Sequence, residues 1–160
     1  MTKSTRYLTQ GAIIAALYIV LTFIANAFGL ANGTIQVRFS EALTILPYFT
    51  PAAIPGLSIG CLLSNLLTGC TIFDIVFGTL ATLIGAIFTY LLRKYKFLAP
   101  IPPIVANVLI IPPVLKIAYG ATDALPFLMF TVGLGEVISC GIFGMILLFA
   151  LNKRRNVIFA

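Results

Sequence analysis

Apolar residues along this chain come in long, nearly unbroken blocks separated by brief polar punctuation. Six blocks can be read, at about 8–28, 39–50, 52–69, 71–92, 98–118 and 125–151. A bilayer core about 30 Å thick takes roughly 20 apolar residues in a helix. The blocks therefore predict an all-α integral membrane protein, one domain of six transmembrane helices over residues 1–160. The second block is too short to cross upright, and Pro47, Pro51 and Pro55 interrupt it and its surroundings. It reads as a tilted span or as one arm of a re-entrant hairpin with the third. In either case the chain returns to the same side.

Composition supports this reading. Hydrophobic residues make up 61% of the 160, and charged residues 9%, against about 25% in a typical soluble domain. The formal charge of +6 is not spread over a nucleic-acid-binding face. It lies in clusters beside apolar ends: Lys3 and Arg6, then Arg93, Lys94 and Lys96, then Lys153, Arg154 and Arg155. The positive-inside rule then puts both termini in the cytoplasm of a multi-pass cell-membrane protein. Only Arg38 and Lys116 fall near the outer face. Residues 25–27 resemble a signal cleavage site, but the apolar run before them is longer than a signal peptide's 7–15-residue core, so the segment is read as a retained span.

Chemistry is sparse. There is no histidine, and Cys61, Cys70 and Cys140 form no CxxC pair, so neither a zinc site nor a disulfide framework is expected. "GLSIG" at 56–60 has the spacing of a serine-nucleophile motif, yet no histidine is present to act as its base. Close helix packing explains Gly56 and Gly60 better, and no enzymatic activity is expected. No phosphate-binding GxxxxGK[ST] loop appears. Uphill transport would draw on an ion gradient or on another subunit.

All four acids, Glu41, Asp74, Asp123 and Glu136, fall in the outer half or outer loops of this topology. Glu136 lies inside an apolar block, about 16 Å along its helix from Leu125. A charge near the bilayer centre costs about 2.5–3.5 kcal/mol on insertion scales, and such groups are functional candidates by default. The structural alternative is an internal ion pair with Arg38 or Lys116. Glu41 and Arg38, three apart, can pair with each other on one helix face. Asp74, Asn65, Asn107 and Lys116 lie at depths that allow an outward-opening cavity. Pro112 and Pro113 free backbone carbonyls in the fifth helix, which either border that cavity or mark a plain kink. On the first helix Gly11, Ala12, Ala15 and Ala16 form a small-residue strip that suits close approach of another helix, internal or external.

"IQVRFSEALTILPYFTPAAIPGLSIGCLLSNL" and "DIVFGTLATLIGA" resemble the QueT family, queuosine-precursor transporters of the kind that serve as S-components of energy-coupling factor (ECF) importers. The resemblance runs over nearly the whole chain and is most specific from Gln36 to Asn65. It implies an S-component-like bundle that captures its substrate outside and needs no cofactor. It also implies docking, through Ala12 and Ala16, on a transmembrane coupling subunit driven by two cytoplasmic ATPases. The implied ligands, 7-deazaguanines such as 7-aminomethyl-7-deazaguanine or queuine, present adjacent N1–H and 2-amino donors. A carboxylate accepts such a pair in bidentate fashion, and Glu136 is the candidate. Asp74 or Glu41 would take a cationic aminomethyl group, and Asn107 or Asn65 the 6-oxo group. Phe73, Phe127, Phe130 or Tyr119 would stack on the base. Three other readings stand beside this one: an S-component for another vitamin-like compound, a stand-alone proton-coupled carrier, and a structural membrane subunit that binds no small molecule.

Overall fold

The computed structural model describes residues 2–30 and 36–159, and among these it is entirely helical. Five long helices are α1 (Lys3–Ala27), α2 (Ala53–Leu67), α3 (Asp74–Leu91), α4 (Ile101–Tyr119) and α5 (Leu125–Asn152), followed by a short α6 (Arg155–Ile158). Of these, α1, α3, α4 (with the turn before it) and α5 are long and apolar enough to cross a membrane. The protein is thus a multi-pass membrane protein. The α2 helix, with 15 residues, extends only about 22 Å.

The block expected at 39–50 is a tightly wound 3-10 helix, Phe39–Tyr48. Such runs seldom exceed four residues, and their rise of about 2.0 Å per residue carries these ten across roughly 20 Å. Every residue from Ser40 to Pro47 is buried. The segment runs through the middle of the bundle, packed on α1, α3 and α5. Its Leu43, Ile45 and Leu46 join Ile14, Tyr18, Leu57, Ala86 and Leu148 in the apolar core. Thr50, just beyond it, donates to the Gln10 side chain at 2.9 Å.

Small residues set the spacing around this centre. A methyl group on Gly56 would lie 2.7 Å from the Gly11 carbonyl oxygen, and one on Gly60 would lie 2.7 Å from Tyr18 Cβ. The α1–α2 contact therefore uses Gly11 and Ala15 against Gly56 and Gly60, while Ala12 and Ala16 face outward and are exposed. Ser58, the would-be nucleophile, returns its hydroxyl to the Ile54 carbonyl at 2.9 Å. Gly85 gives the same close approach between α3 and Pro103 of α4. Pro112 and Pro113 do not break α4, which continues to Tyr119 and ends on Gly120 at φ 63°.

Candidate functional site

A cavity of about 540 Å³ opens at one end of the bundle. It lies where α1, α2 and α4 end and α3 begins. Both α1 and α4 present a stripe of four-residue spacing to it, because side chains four apart lie above one another on a helix face. The α1 stripe is Thr22 and Asn26, continuing below to buried Tyr18. On α4 it is Ile111, Leu115 and Tyr119, continuing down to Asn107. Asn65 and Thr68 come from α2, Cys70 from the following link, and Asp74 from the first turn of α3. Gln36 and Arg38, leading into the 3-10 helix, complete the wall.

Asp74 is 6% exposed and accepts hydrogen bonds from the hydroxyls of Tyr119 and Thr71. It opens a widened π-helical turn, Asp74–Gly78, a local form frequent at functional sites. Asn65 donates to the Asp74 backbone carbonyl at 3.2 Å, which ties α2 to the start of α3. Gly78 leaves room for that amide, since a methyl group there would lie 3.1 Å from Asn65 Nδ2.

Below the main cavity lies a recess of about 20 Å³, room for about one water. Gln36, Arg38 and Ile111 border both spaces, and Asn107, Val132 and Glu136 close the recess. Glu136 is 9% exposed and sits at the start of a second π-helical stretch, Val137–Phe143, inside α5. Its Oε2 accepts from Cys140 Sγ at 3.2 Å. The Nδ2 of Asn107 is buried without a hydrogen-bond partner. A donor and an acceptor thus stand side by side, with the Arg38 charge close to both. The chain at 36–38 is held there by α5: Arg38 N donates to Ser139 Oγ at 3.2 Å, and Gly135 admits the Gln36 backbone.

Beneath the recess, Glu41 accepts a hydrogen bond from Tyr18 rather than pairing with Arg38. Carboxylate oxygens of Glu41 and Glu136 and the thiol of Cys140 lie within 4.8 Å of one another. Two like charges at about 4 Å repel by roughly 4 kcal/mol at an effective permittivity near 20. Those three groups are a possible metal donor set, but Tyr18 already engages Glu41 and Arg38 acts electrostatically on both carboxylates. That arrangement suits a proton better than a divalent cation.

The fold therefore brings together Arg38, Asn65, Asp74, Asn107 and Glu136 around connected spaces, with Glu41 just behind. It does not bring in Lys116 or Phe127, which are exposed and line neither space. Phe73 and Phe130 are likewise 42% and 63% exposed, and of the aromatic candidates Tyr119 alone borders the cavity. Thr22, Asn26, Gln36, Thr68 and Cys70 were not singled out from sequence. The four-residue spacing of Tyr18, Thr22 and Asn26 in an otherwise apolar helix was the signal available.

The sequence profile of the QueT transporter family matches residues 8–153. The chain is 39% identical over 85 residues to the queuosine precursor transporter QueT of Lactococcus lactis subsp. cremoris (strain MG1363), an alignment covering 52% of this chain and 50% of that protein. It therefore spans about half the length of that curated relative. No solved structure matches the chain. With a profile match over nearly its whole length, the chain belongs to the QueT transporter family, a family of membrane transporters and not of enzymes.

Proposed function

We propose that this chain is the substrate-capturing membrane subunit, the S-component, of an ATP-driven importer for a queuosine precursor. The single observation that carries this reading is the polar cavity at the bundle end remote from the eight clustered cations. By the positive-inside rule those cations are cytoplasmic and the cavity mouth faces outside. The termini are then inside, and α2 and the 3-10 helix serve as the two short crossings of a six-pass bundle.

The volume, about 540 Å³, lies within the 300–1,000 Å³ of small-molecule sites. The ligand ring lies in the main cavity against Tyr119, and only its donor edge reaches the recess. There Glu136 accepts from N1–H and the 2-amino group, while Asn107 Nδ2 donates to the 6-oxo oxygen. A cationic aminomethyl group falls to Asp74. The chain carries no phosphate-binding loop; in this reading a coupling subunit and two ATPases supply the energy. The exposed Ala12–Ala16 face of α1 is the docking strip for that module.

A second reading, a stand-alone proton-coupled carrier, draws on the Glu41–Glu136 pair. Proteoliposomes loaded by a pH gradient separate the two. The S-component reading expects purified protein to bind labelled 7-aminomethyl-7-deazaguanine without accumulating it, accumulation requiring the ATPase module and ATP. Accumulation driven by the pH gradient alone would replace this reading with the carrier.

A further inference from the structure

The end of the bundle remote from the cavity carries eight of the ten Lys and Arg residues. Six of them lie in two links, 93–96 and 153–155, and neither link contains an acid. Two contacts bring these links together. The ring of Phe97, in the turn Lys96–Leu98 before α4, meets that of Phe149 on α5 edge-on, with centroids 6.2 Å apart. Lys96 Nζ stands over both, 5.0 Å from the Phe97 centroid and 5.5 Å from the Phe149 centroid. Lys153 follows Phe149 by four residues and keeps helical backbone angles, φ −65° and ψ −27°. It therefore lies one turn beyond the Phe149 ring on the same face of α5.

Lys96 and Lys153 are exposed, and so are the rings between them, Phe97 at 64% and Phe149 at 44%. Ile146, also exposed, extends this apolar surface back along the α5 span. The ring faces attract the Lys96 ammonium and fix where it stands. Charge thus sits at the end of an apolar strip that runs into the bilayer. A free phosphate would meet the cations and leave the rings uncovered. A zwitterionic lipid would cover the rings but bring a cation of its own toward the lysines. A phospholipid of net negative charge answers both, as headgroups of that kind do in basic pockets between membrane helices.

We propose that Lys96 and Lys153, with Phe97 and Phe149 between them, form a binding site for one anionic phospholipid. Its phosphate lies between the two ammonium groups, and an acyl chain follows α5 past Phe149 and Ile146. The site is at the opposite end of the bundle from the cavity and is independent of what the cavity binds.

Native mass spectrometry of the purified protein, titrated in detergent with phosphatidylglycerol or phosphatidylcholine, tests this. Wild type is expected to retain one phosphatidylglycerol, bound about tenfold or more tighter than phosphatidylcholine. The double variant Lys96→Gln/Lys153→Gln is expected to lose about tenfold or more of that affinity. Lys3→Gln/Arg6→Gln removes the same charge from the same end of the bundle and is expected to lose less than about threefold. Equal losses in the two double variants mean a diffuse field without a site, and overturn the proposal, as does equal affinity for the two lipids. Phe149→Leu keeps every charge but removes a ring that places Lys96, and is expected to weaken binding by about threefold or more; unchanged binding counts against the site. If Lys96→Gln/Lys153→Gln keeps the lipid but no longer co-purifies with a coupling subunit, the patch is a protein interface and the proposal falls.

Discussion

A methyl group placed on Gly135 would overlap the carbonyl oxygen of Gln36. The absence of a side chain at Gly135 thus lets the 36–38 segment lie against α5 one residue from Glu136. That approach places Gln36 and Arg38 where they wall both the cavity and the recess. Gly135→Ala is expected to push the segment away, costing about 1–3 kcal/mol as overpacking does and weakening ligand binding by about tenfold or more. Gly133→Ala is the control, because its added methyl would meet Val108 Cγ2 at an ordinary 3.4 Å. Thermal unfolding and equilibrium binding of the two variants, read together, decide the point.

The small residues of α1 divide into two strips, and their variants are expected to fail in different assays. Gly60→Leu drives a side chain into Tyr18 Cβ and the Ala15 backbone, so it should lower stability by about 1–3 kcal/mol or prevent folding. Ala16→Leu faces outward and should leave both the unfolding temperature and ligand affinity unchanged. Under the proposed function it should impair assembly with the coupling subunit, measured by co-purification.

Asp74 is held by Tyr119 and Thr71. Tyr119→Phe removes one donor and frees the carboxylate for a ligand. Affinity for a cationic deazaguanine is therefore expected to change by no more than about threefold, whereas Asp74→Asn should lose about tenfold or more. A neutral 7-cyano analogue should respond much less to Asp74→Asn. Equal losses for both ligands would place the ligand's charged group elsewhere.

Lys116→Ala and Phe127→Ala, both outside the cavity and recess, are expected to leave affinity within about twofold of wild type. A larger effect, measured by the same titration, would require a binding surface other than the cavity.

The long apolar spans were legible because block length reports directly on bilayer thickness. The inward set of Asp74, Asn65, Asn107 and Glu136 was legible too, since polar groups in such blocks are costly enough to be placed for a purpose. The winding of Phe39–Tyr48 was not. Its ten residues contain nothing that separates a 3-10 from an α-helix, and packing against α1, α3 and α5 decides the outcome. Facing direction was equally hidden for Lys116, whose depth matched the polar set while its position on α4 turns it to the exterior. On α4 the cavity stripe is 107, 111, 115 and 119, and residue 116 lies about 100° from 115 around the helix axis. Glu41 and Arg38 have the spacing of a helical ion pair, but the tighter winding and the reach of Tyr18 from α1 give Glu41 a different partner.

The proposed function centres on Glu136 as the group that receives the ligand's donor edge. Its most direct test is equilibrium binding of 7-aminomethyl-7-deazaguanine, queuine and guanine to purified protein in detergent, comparing wild type with Glu136→Gln at matched unfolding temperature. Tight binding of one deazaguanine is expected for wild type, with a loss of about a hundredfold or more in Glu136→Gln, which exchanges one acceptor oxygen for a donor. Unchanged affinity in a folded Glu136→Gln protein would contradict it.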